Sequence, residues 1–186
     1  NNDTGIVTFI PNGNFSGVNY ITFTATDGMY EINSNEVILT IISVNDPPFL
    51  KQSVQYLSFF EDSYDNSIDL TQNFDDIDNE TLIYDYETND SINLLVSITV
   101  EGLVNVSALP DWNGQAEVNF TASDGEFSAN DTIIVTVIPV NDVPVFTPSL
   151  PTVFYANTSS PFNYDVNCSD VVDGETDDLQ FFDNTT

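Results

Sequence analysis

The stretch Asp111-Trp112-Asn113-Gly114, running through Val118, Phe120 and Ala122 to Asp124-Gly125 and on to Val140-Asn141-Asp142-Val143-Pro144-Val145-Phe146, decides the fold because the chain says nearly the same thing twice. About 97 residues earlier, Asn14-Phe15-Ser16-Gly17 leads through Ile21, Phe23 and Ala25 to Asp27-Gly28, then to Val44-Asn45-Asp46-Pro47-Pro48-Phe49. A period of this length, filled with strands and turns, predicts a string of similar β domains.

Outward from these copies, short β patterns alternate with turn residues at the spacing of a β-sandwich. In the first block Gly5 to Ile10 reads as a strand stopped by Pro11-Asn12-Gly13. Tyr20 to Thr26 then alternates, with Ile21, Phe23 and Ala25 on one face and threonines on the other. Asp27-Gly28 supplies turn chemistry, and Val37 to Val44 suits a last strand. Residues 47–142 read as a complete repeat. Its strands are expected at Ser53 to Phe60, Ser67 to Leu70, Thr81 to Glu87, Leu94 to Val100, Leu103 to Ser107, Glu117 to Ser123 and Thr132 to Val140. About seven strands suit a seven-stranded Greek-key sandwich, and no helical stripe of useful length is present. Residues 1–46 read as the second half of a repeat and 143–186 as the first half of a third. In the latter, Asp170-Val171-Val172-Asp173-Gly174-Glu175-Thr176 echoes Asp76-Ile77-Asp78-Asn79-Glu80-Thr81. The expected class is all-β: tandem Greek-key sandwiches, beads on a string. Half-repeats at both ends fit either a longer chain seen in part or strand exchange between neighbouring molecules.

Charge narrows the function classes. The chain has 30 acidic residues, one basic residue (Lys51) and no histidine, for a formal charge of -29. Phosphate backbones need Lys or Arg, so nucleic-acid binding is excluded, and attachment to an anionic membrane face lacks its charges. No membrane-spanning apolar run is present. Histidine-based catalysis is impossible, and every acidic pair has a turn or linker explanation, so the expectation is a chain that is not an enzyme. Hydrophobic content of 41% argues that it folds. Cys168 stands alone, so no intramolecular disulfide forms; it aligns near Phe74 and reads as a small buried hydrophobe. Trp112 and its counterpart Phe15 read as core plugs beneath a turn. In the pairs Phe59-Phe60 and Phe181-Phe182, one ring is expected inside and one at an interface.

Asn-X-Ser/Thr triplets begin at Asn2, Asn14, Asn79, Asn89, Asn105, Asn119, Asn130, Asn157, Asn167 and Asn184. That is about double what chance gives, and it points to a glycosylated outer surface, against the plainer account of an Asn- and Thr-rich composition.

Acidic patterns recur where domains would meet: the Val-Asn-Asp-X-Pro linker, the Asp-X-Asp loop of Asp76 and Asp78, and the Ala-X-Asp-Gly turn of Asp27 and Asp124, with Glu61-Asp62 near the start of the complete repeat. Together they resemble the cadherin superfamily, and most closely the cadherin-like or Ig-like tandem repeats of archaeal and bacterial cell-surface proteins and adhesins. The resemblance implies calcium at the junctions, held at the first by Asn45, Asp46, Asp76, Asp78 and Asp124. At the second it implies Glu61, Asp111, Asn141, Asp142, Asp170 and Asp173. Calcium takes six to eight hard oxygens, and carboxylates with linker carbonyls provide them. The chain departs from the family's linker, with Ser43 and Pro139 at its first position and Pro47 and Val143 at its close. The function so implied is a structural segment of a long extracellular protein: a stalk, adhesin, surface-layer component or filament. Its partners would be neighbouring repeats of the same chain, or further copies in an oligomer or filament. The competing readings are a carbohydrate- or partner-binding adhesion module and a strand-exchange filament subunit.

Overall fold

The structure, a computed structural model, describes residues 5–78, 81–146, 150, 153, 155 and 168–169. It is all-β. In chain order the strands are β1 (Gly17–Ile21), β2 (Thr24–Thr26), β3 (Glu31–Asn33), β4 (Val37–Ile41), β5 (Phe49–Leu50), β6 (Leu57–Phe60), β7 (Tyr64–Asp65), β8 (Phe74–Asp75), β9 (Ile83–Thr88), β10 (Leu94–Ile98), β11 (Val104–Ala108), β12 (Gly114–Ser123), β13 (Ser128–Ile138), β14 (Val145–Phe146) and β15 (Cys168–Ser169). Among the described residues one 3₁₀ turn, Leu70–Gln72, is capped by the Asp69 carboxylate, which accepts from the Thr71 amide.

The organising element is the β12–β13 hairpin. Strict alternation turns Ala116, Val118, Phe120 and Ala122 inward and Gln115, Glu117, Asn119 and Thr121 outward, the period a pleated strand requires. On the outer face Gln115 donates to Thr136 at 3.1 Å, and the Thr132 hydroxyl donates to Asn119 at 3.1 Å, so polar cross-strand pairs reinforce the ladder. β6 pairs parallel with β13 and β9 antiparallel with β12, giving a four-stranded sheet in the order β6-β13-β12-β9. A three-stranded sheet, β10-β11-β7, faces it. Leu94, Val96, Val104 and Val106 from the smaller sheet join Leu57, Phe59, Val118, Phe120, Val135 and Val137 from the larger in one core cluster. Burying each large side chain there contributes about 1.5–3 kcal/mol.

Residues 5–44 are built differently. β1 pairs with β4 and β2 with β3, forming an interrupted hairpin. Two residues lie between Ile21 and Thr24, whereas three lie between their partners Asn33 and Val37, so the second strand carries an extra residue at the break. The Ser34 hydroxyl fills the gap by accepting the Phe23 amide at 2.9 Å. None of the residues 5–44 is buried.

The structure corrects several boundaries. Gly5 to Ile10 forms no strand, because no described segment offers it a ladder. The strand expected over Ser53 to Phe60 begins only at Leu57, and Ser67 to Leu70 is reduced to an Asp69–Leu103 bridge and the 3₁₀ turn. Phe59 is buried and Phe60 exposed, one ring in and one out as expected, while Phe181-Phe182 lies outside the described residues. Trp112 packs against the core, but Phe15 is 44% exposed and lines an open groove instead of plugging a core.

Candidate functional site

The oxygen-rich groups collect around the two linkers, and the turn that feeds the first is itself an aspartate device. In β12–β13 the Asp124 carboxylate accepts the Glu126 and Phe127 amides at 2.7 and 2.6 Å, and Ser123 accepts the Gly125 amide. Gly125 has φ 100, a left-handed geometry that favours glycine. Asp27 repeats the arrangement with the Met29 and Tyr30 amides, and Gly28 has φ 93. These amides, Phe127 foremost for Asp124 and Tyr30 for Asp27, hold both carboxyls below the usual carboxylate range.

The free oxygen of Asp124 reaches the first linker. Asn45 donates to Asp124 Oδ2 at 3.1 Å and to Glu126 at 3.4 Å, while the Asp46 amide donates to Asp78 Oδ2 at 2.7 Å. The Asp78 amide in turn donates to Asp76 Oδ1 at 2.7 Å. Asp76 is only 5% exposed, and its second oxygen, like Asn45 Oδ1, is enclosed without a hydrogen-bond partner. Pro48 is buried just beyond. All five residues expected at this junction therefore belong to one local network. It is laced by amides rather than by shared carboxylate oxygens.

The second linker is more acidic. The Glu61 amide donates to Ile138 and its carboxylate accepts the Val140 amide at 2.5 Å, extending the β6–β13 pairing beyond the sheet. Glu61 is 2% exposed, and its Oε2 has no partner. Next to it, Asp62 joins Asp111 and Asp142, with one carboxylate oxygen from each lying within 4.8 Å of the others. Among the described residues this is the one such acidic group. Asp62 and Asp111 have φ 57 and 60, a region aspartate tolerates better than most residues. Like charges at that range repel by about 1 to 4 kcal/mol per pair between bulk water and a protein surface. The chain's one basic side chain, Lys51, is committed to Asp75 at 3.2 Å, so no cationic side chain is available to any of these groups.

The expected second set is thus brought together in part. Asp111 and Asp142 come together with Asp62, and Glu61 is tied to the linker at the Val140 amide, while Asn141 is exposed and donates to the adjacent Asp142 carbonyl at 2.9 Å. Asp170 and Asp173 lie outside the described residues. Asp62 was missing from the expected ligands, although its pairing with Glu61 in the sequence was the signal for it. Of the glycosylation triplets, Asn14, Asn89 and Asn130 are exposed, while Asn105 and Asn119 are half-buried. Asn2, Asn79, Asn157, Asn167 and Asn184 lie outside the described residues. Among the described residues no helix is long and apolar enough to cross a membrane.

No protein-family model matches the chain, and no curated protein matches it. Among solved structures it is similar to an endo-fucoidan hydrolase of glycoside hydrolase family 107, MfFcnA4, at 21% identity and a TM-score of 0.42, covering 72% of this chain and 21% of that one. A second such hydrolase, MfFcnA9, matches at 20% identity and a TM-score of 0.36, over 66% of this chain and 22% of that one. Titin domains Z1Z2, solved in complex with telethonin, match at 19% identity and a TM-score of 0.37, over 67% and 62%. The chain spans about a fifth of the hydrolases' length. The expectation that the chain is not an enzyme is corrected here: enzymes stand among the similar structures, and a lack of histidine leaves carboxylate chemistry open.

Proposed function

We propose that the chain is a spacer segment of a long extracellular surface protein, built from tandem Greek-key β-sandwiches of the cadherin or Ig kind joined end to end. The observation that carries this reading is the pair of hairpins about 97 residues apart, each with the same aspartate-glycine turn and each running into an Asn-Asp-X-Pro linker. The stapling of Asn45 and Asp46 to Asp124 and Asp78 supports a linker braced against the unit that follows it. Calcium at the linkers would supply the positive charge the sequence lacks, and the Asn-X-Ser/Thr triplets support a glycosylated surface. Small-angle scattering of chains carrying one, two and three units tests this: length should grow by a fixed increment per unit. Collapse into a single globule would contradict it.

A specific observation favours a second reading. The first hairpin leaves Tyr20, Phe23 and Val37 exposed, beside an open groove of about 420 Å³ lined by Phe9, Phe15 and Leu39. Residues 143–186 of a second copy, which echo the early part of the complete repeat, could cover that face and make a filament by strand exchange. Concentration-dependent assembly in sedimentation would support it, and a monomer at every concentration would remove it.

A further inference from the structure

Away from both linkers, residues 52–57 and 67–73 face each other across a cleft of about 360 Å³. Its floor is apolar, made by Val54, Leu57 and Ile68, all of them buried. Its rim is not. Gln52, Gln55 and Gln72 stand there, three of the five glutamines in a chain with 30 acidic residues. The walls are held in advance. The Asn73 carbonyl accepts the Lys51 and Gln52 amides at 2.7 and 3.2 Å, and the Asn73 side chain donates to the Gln52 carbonyl at 3.2 Å. On the other side the Val54 amide donates to Asp131 at 2.7 Å. The rim groups are left open. Among the described residues the side chains of Gln52 and Gln55 make no hydrogen bond, and Gln72 donates to the adjacent Thr71 at 3.2 Å while keeping its oxygen free. The exposed ring of Tyr56 also lines the cleft.

We propose that this cleft binds a neutral saccharide, with the sugar's C–H face on the apolar floor and on Tyr56 and its hydroxyls on the glutamine amides. Sugar hydroxyls both donate and accept, and a primary amide offers both in one group, so Gln52, Gln55 and Gln72 match them without a charge. Anionic ligands are repelled, because the formal charge is -29 and Lys51 is committed to Asp75 at 3.2 Å. Asp69 is the one carboxylate lining the cleft, too few oxygens for a hard cation. An extended peptide would need a run of open main-chain groups, and the Val54 amide is already spent on Asp131. The volume lies near the lower end of ligand sites, about 300–1,000 Å³, which fits a short saccharide. All of these residues belong to one unit and none to a linker, so the cleft adds adhesion to the chain whether or not it serves as a spacer.

An array of short neutral β-glucan, xylan and mannan oligosaccharides, with heparin and alginate as anionic controls, tests the cleft on the whole chain. Calorimetry then measures the strongest binder. At least one neutral member should bind at millimolar concentration, and neither control should. Gln55→Ala and Gln72→Ala should each weaken that binding about tenfold, the loss of one hydrogen-bonded group. Tyr56→Ala should weaken it too, by removing the ring. These side chains are exposed, so circular dichroism and melting temperature should stay as in the wild type. Should one of the glutamine variants unfold, Gln52→Ala carries the same expectation. Gln115→Ala, on the outer face of the larger sheet, should bind as the wild type does. No neutral binder, binding that survives in the Gln55→Ala/Gln72→Ala double variant, or equal binding of heparin would overturn the saccharide cleft. A peptide library retained by the wild type and lost by the double variant, with no saccharide bound, would overturn it equally. Scattering lengths test the spacer reading separately, so each can fail without the other.

Discussion

The two hairpins share a turn and differ in almost everything that turn does not control. Asp27 and Asp124 accept the same pair of amides, Gly28 and Gly125 take the same left-handed geometry, and each hairpin feeds an Asn-Asp linker. Yet Phe120 is fully buried while Phe23, its counterpart, is 38% exposed. β12 and β13 pair without interruption across ten residues, whereas the first hairpin slips by one residue at Phe23 and Ser34. Turn chemistry is local and travels with the sequence; burial depends on what stands opposite. The β10-β11-β7 sheet stands opposite the second hairpin, whereas among the described residues no second sheet faces the first, which meets the Phe9 ring 6.5 Å from that of Phe23.

The sharpest way to break this contrast is truncation of the equivalent rings. Phe120→Ala should destabilise the unit by about 3–5 kcal/mol, because it leaves a cavity among Val118, Val135 and the facing sheet. Phe23→Ala in the same chain should cost far less in chemical denaturation, about 0.5–1.5 kcal/mol, because the ring is 38% exposed and its aromatic contact is the edge-to-face pair with Phe9. A comparable loss at Phe23 would mean that its face is covered after all. Smaller than the loss at Phe120 is the effect of the turn aspartates: Asp124→Ala should lower the denaturation midpoint by a modest, measurable amount, because it removes the carboxylate that accepts the Glu126 and Phe127 amides. That difference has a defined pH dependence. Backbone amides depress the folded-state carboxyl, so the stabilisation is present above the ordinary aspartate range and is lost as pH falls through the lower folded value. Melting curves of wild type and Asp124→Ala should therefore converge below about pH 4. Smallest is the same change at Asp27, whose hairpin has no core to transmit it.

Most of the second hairpin was legible. The alternation of Ala116, Val118, Phe120 and Ala122 fixed a half-buried strand, and Asp124-Gly125 fixed its turn, because both signals act over a few residues. Junction chemistry was partly legible, since Asn45 and Asp124 are joined by a contact that the repeat order alone brings near. Asp62 and Asn141 were not. Which of two neighbouring acidic residues faces a linker depends on a left-handed backbone at Asp62 and on the exit path of β13, neither written in local composition. Gly5 to Ile10 carries strand-forming residues without a described partner, and propensity does not create a ladder.

The linkers extend the comparison and permit its most direct test. The Asp46 amide is held by Asp78 in a network of hydrogen bonds, and the Val140 amide is held by Glu61, the residue before Asp62 of the Asp62, Asp111 and Asp142 group. Amide hydrogen exchange, measured on the intact chain in calcium and again in EDTA, reads both at once. The account expects exchange at Val140 to accelerate when calcium is removed while Asp46 keeps its protection. Equal protection at Val140 in both conditions, or an equal loss at the two amides, would contradict a cation-governed second linker.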